Sequence, residues 1–374
     1  MSATRPLRVA VIGAGFGTRL VIPGLRAVGS EVAALVGQSA ARAAEAAKLL
    51  GIPHSYPAAQ LDEALALPGL DLAFVASPPV AHCEQTVRAL ERGLHVVCEK
   101  PTAMNAREAM LMLETAKRAG RLALIDHELR FSPVRRRFRD LVREGFLGRV
   151  LHADLTIQGE FRLDPTRPWT WWSDAAQGGG FLGALGSHAI DAVRFTLGEV
   201  EAAWGRLRTL VRERPDPAGG GARPVTADDY ALFWLEMEAD FTVACSLSAV
   251  ARAPRDEWRF AAHGRAGSLL LDQGERLWGR REGESEFRDL TPPAGEAPAE
   301  LAATGLRDTP WNRAFLRFAA ALRDTLRSGR TSLPDAASFE DGLRVQQIMD
   351  AIRESSTTGR RVECRATALT AGGA

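Results

Sequence analysis

Residues 9–12 (VAVI) run directly into Gly13-Ala14-Gly15-Phe16-Gly17-Thr18. A short apolar strand that ends in so glycine-rich a turn and continues as a helix has few folds open to it. Glycine lets the turn close tightly. It also lets the backbone approach a pyrophosphate held at the next helix's N-terminus. The pattern predicts a dinucleotide turn with Gly13, Gly15, Phe16, Gly17 and Thr18 as candidate cofactor contacts. Thr18 stands in the third glycine slot, with Gly17 one place early, and a small side chain there still permits close helix–strand packing. The plain alternative is an ordinary strand–helix turn.

The alternation continues to about residue 125. Strands are predicted at 7–12, 32–36, 72–76, 94–98 and 122–125, and helices at 20–28, 40–50, 61–66, 80–92 and 107–118. This order implies a parallel, doubly wound α/β sheet. The character changes after Arg130. A helix at 134–144 is followed by strand-like runs at 150–157, 200–211, 230–239, 242–250, 257–262 and 267–271, separated by Gly/Pro/Asp turns as antiparallel strands would be. Residues 215–224 read as a flexible loop and 283–305 as a surface excursion. Helices are predicted at 311–328 and 337–354. Two domains are expected: a nucleotide-binding domain over 1–127 and an α+β domain over 128–374 for substrate binding and oligomerisation.

With 47 basic and 46 acidic residues the net charge is +1, which gives no electrostatic reason to expect nucleic acid or a membrane surface as partner. Cys83, Cys98, Cys245 and Cys364 show no CxxC or zinc-like spacing. They read as thiols in a reducing compartment, and no metal is expected. The N-terminal residues lack a charged segment followed by a long apolar run, so no signal peptide is expected. No apolar stretch approaches the ~20 residues of a membrane helix. A cytoplasmic protein acting on a small molecule is the expectation.

An acidic residue about 20 positions beyond the glycine turn usually holds the ribose 2′-hydroxyl of NAD. Here the second strand ends in Val36-Gly37-Gln38-Ser39, with Arg42 just beyond. No carboxylate stands there to repel a 2′-phosphate, and Ser39 and Arg42 can bind one. The reading leans towards NADP(H) over NAD(H). Alternatively, Arg42 is a solvated helix residue.

Two further motifs carry chemistry. Glu99-Lys100-Pro101 follows the strand 94–98, and ligands of open α/β sheets bind beyond the strands' C-terminal ends. An ammonium there can hydrogen-bond a substrate oxygen and stabilise a developing alkoxide. Pro101 permits a cis peptide. Ser77, Pro78, His82 and Glu99 are expected around the cofactor. Far downstream, Gly178-Gly179-Gly180 leads to Gly186-x-His188-x-x-Asp191. Histidine titrates near neutrality and suits proton transfer. Asp191 shares its helical face and can hold the imidazole's tautomer. The alternative is a core histidine satisfied by a neighbour. Arg130, Arg162, Arg167, Trp169, Trp171, Trp172 and Asp174 lie just before or within reach of the glycine run. Aromatic faces with polar edges suit sugars, and arginines suit carboxylate or phosphate. Arg130, Trp169 and Trp172, with Lys100 and His188, are the candidate substrate contacts.

These motifs, with Ser77-Pro78-Pro79, His82, Gly93 to Pro101, Arg130-Phe131-x-Pro133 and Gly145-x-x-Gly148, resemble the Gfo/Idh/MocA oxidoreductases nearly end to end. The resemblance implies a Rossmann domain joined to an α+β domain with a large, mostly antiparallel open-faced sheet. It implies an NAD(P) cofactor, sugar, polyol or related substrates, and homodimers or homotetramers built through that sheet. It makes Lys100 the catalytic lysine. One position departs: where family dehydrogenases commonly place an Asp four residues before the histidine, this chain has Ala184. Either Lys100 and His188 suffice, another residue substitutes, or ordinary dehydrogenase chemistry is lost. The leading expectation is a dehydrogenase or reductase acting on CH–OH groups. The alternatives are a non-catalytic nucleotide- and sugar-binding regulator, and redox-neutral sugar chemistry with tightly held NAD(P).

Overall fold

A computed structural model describes residues 5–252, 257–293 and 298–364. Internal packing divides the chain into one unit of Met1–Arg136 with Pro292–Leu343 and another of Arg137–Thr291 with Arg344–Ala374.

The first unit carries strands β1 (Arg8–Ile12), β2 (Glu31–Gly37), β3 (His54–Pro57), β4 (Leu72–Val75), β5 (His95–Cys98) and β6 (Ala123–Ile125). They lie in the order β6-β5-β4-β1-β2-β3, all parallel, with the short strand Ala337–Ser338 antiparallel on the β6 edge. The strand order reverses on either side of β1, which is where open α/β sheets bind nucleotides. Helices α1 (Ile22–Ala27), α2 (Ala40–Leu50), α3 (Leu61–Leu65), α4 (His82–Glu91) and α5 (Ala106–Ala119) link the strands. Alternate residues of each strand feed two separate cores. Val11, Leu35, Phe74 and Val97 enter one, and Ile12, Val36, Val75 and Cys98 the other. That explains why the strands read as continuous apolar runs. β3 escaped the sequence pattern because His54-Ser55-Tyr56-Pro57 is half-exposed and short.

The single boundary expected at 127/128 does not describe the packing. Helix Pro310–Arg327 places Phe315, Leu316 and Phe318 in the core formed by β1, β2 and β4. The late segment thus returns to the first unit.

The second unit is built on nine strands. These include β7 (Val150–Gln158), β8 (Val200–Arg208), β11 (Tyr230–Met237), β12 (Phe241–Ser248), β13 (Glu257–Gly264), β14 (Gly267–Leu271), β15 (Leu277–Arg281) and β16 (Arg288–Asp289). The sheet order is β16-β15-β14-β13-β7-β12-β11-β8, closed by Val362–Glu363, and antiparallel except between β7 and β12. The predicted loop 215–224 is in fact a ribbon of β9 (Glu213–Pro215) and β10 (Ala222–Pro224). The predicted excursion 283–305 contains β16 and a short helix, Leu301–Thr304, while its residues 294–297 lie outside the described residues. Along β7, Ala153, Leu155 and Ile157 are buried while His152 and Asp154 point to the other face. Helix α6 (Pro133–Arg143) contributes Phe138, which stacks on Phe260 of β13 at 5.0 Å. On the open face Trp204 stacks on Trp234 at 4.6 Å, and Trp204 is exposed. Helix α7 (Ser187–Leu197) carries the histidine motif.

Among the described residues no helix is long and apolar enough to cross a membrane. All four cysteines are free thiols.

Candidate active site

The glycine turn is built by close approach. Gly13 has φ +128°, and a Cβ there would fall on the carbonyl of Ala76 at the end of β4. A Cβ on Gly17 would press on Val11 of β1. Gly15 is the opposite case: an added Cβ meets nothing within 4 Å, so open space lies over it and over exposed Phe16. The backbone is shaped for a pyrophosphate-sized group there, and the dinucleotide fits. Thr18 Oγ1 donates to the carbonyls of Ala14 and Gly15 at 3.1 and 3.0 Å. It secures the turn rather than facing outward. Gly37 packs against Ala43 and Ala14, so it holds the turn next to the end of β2. Ser39 caps α2 by accepting the Arg42 N–H at 3.4 Å, and Arg42 is exposed.

The segments after β4 and β5 are tied together by His82. Its Nδ1 lies 2.9 Å from the Pro101 carbonyl oxygen and its Nε2 2.8 Å from that of Ser77. Burial lowers its pKa, against the raising effect of those carbonyls. The ring is fully buried. This corrects the expectation that His82 contacts cofactor: an inaccessible side chain positions its neighbours instead. Ser77 Oγ donates to Gln85 Oε1 at 2.6 Å. The Lys100–Pro101 peptide is cis.

Lys100 sits beside a carboxyl cluster of which the sequence analysis singled out only Glu99, and that as a cofactor contact. Glu99, Asp126 and Glu128 are all buried, at the ends of β5 and β6. The Asp126 N–H donates to the Cys98 carbonyl at 2.8 Å. Burial raises all three carboxyl pKa values, and Glu99 adds to the rise of Asp126 and Glu128; Glu128 is pushed up to about 8. Asp126 hydrogen-bonds Glu99, and the Lys100 charge opposes the rise in each. Burial thus favours the protonated form of each, and Glu128, at about 8, keeps its proton at neutral pH. The signal available in sequence was Asp126-His127-Glu128, two acids at the end of a strand otherwise wholly apolar. Arg130 is also buried and pairs with Asp341 through both guanidinium nitrogens, at 3.1 and 3.3 Å. That pair gives it the task of fixing the turn after β6.

In the second unit the glycine run is threaded past backbone and an acid. A Cβ on Gly179 would overlap the Trp172 carbonyl, and one on Gly180 (φ +114°) would overlap Asp228. Asp228 accepts the Leu182 N–H at 2.8 Å while its carbonyl accepts that of Phe181 at 2.9 Å. Burial pushes its pKa up to about 6. Leu182–Gly186 then forms a π-helical turn, with Ala184 inside it, that runs into α7. Such turns are frequent at functional sites. Ser187 Oγ donates to the Gly183 carbonyl at 2.7 Å. His188, in the first turn of α7, and Asp191, three residues on, are both buried.

Trp169 is corrected as a substrate contact. Its Nε1 donates to the Pro224 carbonyl at 2.9 Å, Arg223 covers its ring at 3.4 Å, and 8% of it is exposed. It anchors the β9–β10 ribbon. Trp172 is half-buried under Arg162 at 4.2 Å, and burial lowers the Arg162 pKa to about 10. Asp174 accepts from Ala176 and Gln177 and orders the turn before the glycines.

Residues 7–127 match the oxidoreductase family with an NAD-binding Rossmann fold, and residues 135–270 match the GFO/IDH/MocA C-terminal domain. An uncharacterized oxidoreductase of Synechocystis sp. is 30% identical over 95% of this chain and 95% of its own length. The chain belongs to the Gfo/Idh/MocA oxidoreductase family. Another Gfo/Idh/MocA relative, the human glucose-fructose oxidoreductase domain-containing protein 2, is 30% identical over 94% of this chain and 91% of its own. Levoglucosan dehydrogenase, solved in complex with NADH and L-sorbose, has the same fold with a TM-score of 0.84, 24% identity and 97% and 100% coverage of the two chains. The aldose-aldose oxidoreductase of Caulobacter crescentus, complexed with glycerol, follows at TM-score 0.74, 25% identity and 96% and 100% coverage.

Proposed function

We propose that this chain is an NAD(P)-dependent oxidoreductase that interconverts an alcohol and a carbonyl on a sugar, polyol or related small molecule. The observation that carries this reading is Lys100 at the end of β5, flanked by the buried carboxyls of Glu99, Asp126 and Glu128, whose pKa values burial raises. The sugar class draws support from the ligands of levoglucosan dehydrogenase. The nicotinamide, when bound, supplies or takes the hydride. The chain's own residues do the rest. Gly13 to Gly17 receive the pyrophosphate. Lys100 donates to the substrate oxygen and stabilises negative charge on it. His188, its ring oriented by Asp191, exchanges the hydroxyl proton. Glu128 holds a proton near Lys100, with the buried carboxyls of Glu99 and Asp126 beside it. Ser39 and Arg42, with no carboxylate at the end of β2, favour NADP(H). The open sheet face of the second unit is the proposed surface for a homodimer or homotetramer.

The test is a titration of purified protein with NADH and NADPH by nicotinamide fluorescence, followed by turnover on a sugar and polyol panel. NADPH is expected to bind more tightly. Lys100→Ala is expected to lower kcat/KM by about 10²-fold or more while cofactor affinity is retained. Binding of neither form by cofactor-free protein would overturn the reading. Unchanged turnover in Lys100→Ala would remove the lysine from the mechanism.

A further inference from the structure

The open face of the nine-stranded sheet carries a side-chain group that plays no part in the proposed reaction. His152 of β7 and His263 of β13 are directly opposite each other in antiparallel register, with ring centroids 4.8 Å apart. Asp154, two residues along β7, projects from the same face. Asp154 Oδ2 lies 3.8 Å from His152 Nδ1 and 3.9 Å from His263 Nε2. One ligand-type atom from each of the three residues falls within 4.8 Å of the others.

We propose that His152, Asp154 and His263 form a binding site for one divalent cation of the zinc class.

Three features of the geometry support this. First, 3.8 and 3.9 Å are too long for hydrogen bonds but close to the spacing of atoms bridged by a single ion. Two ligands of a tetrahedral zinc with bonds of 2.0–2.1 Å stand about 3.3 Å apart, so an ion would draw in side-chain atoms that already lie within 4.8 Å of one another. Second, His263 Nδ1 lies 2.9 Å from Ser268 Oγ on the neighbouring strand β14. That partner occupies one ring nitrogen and leaves Nε2 turned to Asp154, the arrangement by which metal-binding histidines are commonly oriented. Third, β7 and β13 are interior strands of the sheet, so the backbone presents the ligands without needing a loop to order. The side chains remain open to solvent, at 59%, 43% and 31% exposure, which gives an ion its entry path. Two imidazoles and one carboxylate select zinc and its late transition-metal neighbours over magnesium or calcium, which take oxygen ligands. Three protein ligands leave a position for water or for a donor from another molecule.

The test is calorimetric titration of Zn²⁺ into the metal-stripped full-length chain without a histidine tag, repeated with Co²⁺ for its absorption spectrum. The expected result is one Zn²⁺ per chain and a Co²⁺ spectrum without a thiolate charge-transfer band. Saturable binding should disappear in the His152→Ala/His263→Ala double variant. It should weaken in Asp154→Asn, and weaken by about 10–100-fold in Ser268→Ala. A zinc-dependent rise in Tm in the native chain, absent from a double variant of unchanged circular dichroism, separates loss of the site from loss of the fold. Absence of stoichiometric binding, binding unchanged in the double variant, or a cobalt–thiolate band would each overturn the proposal.

Discussion

Glu128 is the residue whose environment most alters its chemistry. Its pKa is raised from 4.5 to about 8, first by burial and then by Glu99. A carboxyl that binds its proton more tightly when folded stabilises the fold at low pH. That contribution is fully present below about pH 4.5 and is lost as pH rises through about 8. The native chain should therefore lose stability between pH 5 and pH 8, and Glu128→Gln should lose less. Each pKa unit removed is worth about 1.4 kcal/mol, or about 3–6 °C in Tm for a domain of this size. Thermal melts of both proteins at the two pH values check this, and parallel profiles would refute it. Glu99 and Asp126 shift in the same direction, so the variant flattens the slope without abolishing it.

The elements put one glycine in an unusual role. Gly24 lies in the interior of α1, where replacing glycine by alanine ordinarily stabilises a helix by up to about 1 kcal/mol. Here an added Cβ would overlap the ring of Phe315 on helix Pro310–Arg327. Overpacking of this kind costs about 1–3 kcal/mol, so the sign reverses and Gly24→Ala should destabilise. Chemical denaturation measures this, and a rise in the midpoint would contradict the packing argument. Nothing near Gly24 in sequence announces Phe315, and the same limit recurs elsewhere. The parallel strands other than β3 were legible because each is buried on both sides, and α2 and α5 because Gly51 and Gly120 end them with positive φ. Lys100 and His188 stood out as candidates, and the glycine turn as a nucleotide turn, because each sits in a motif of local spacing. The partners that govern them did not. Asp228 meets the glycine run from 46 residues away, Asp126 joins Glu99 from the next strand, and Trp169 spends its indole N–H on Pro224. Each depends on the tertiary path.

At the scale of the whole molecule, the sheet of the second unit leaves an aromatic pair in the open. Trp204 and Trp234 stack across β8 and β11 beside Thr242, Glu236 and Arg361, around a groove of about 550 Å³. If this face joins copies of the chain, a charge in its apolar part must be desolvated on assembly. Trp204→Glu should then shift the protein towards monomer, read as molar mass by light scattering on size exclusion; an unchanged mass would move the interface elsewhere. The return of Pro292–Leu343 to the first unit has a different reach. On the ribosome, the nucleotide-binding strands emerge first, yet Phe315, Leu316, Phe318 and Leu322, which share their core, arrive roughly 190 residues after β6, which at about 5–20 residues per second is some 10–40 seconds. Through that interval one side of the nascent sheet lacks its cover. The first half of this protein to be made is thus among the last to be finished, and a gene cut at the apparent domain boundary would encode an open core.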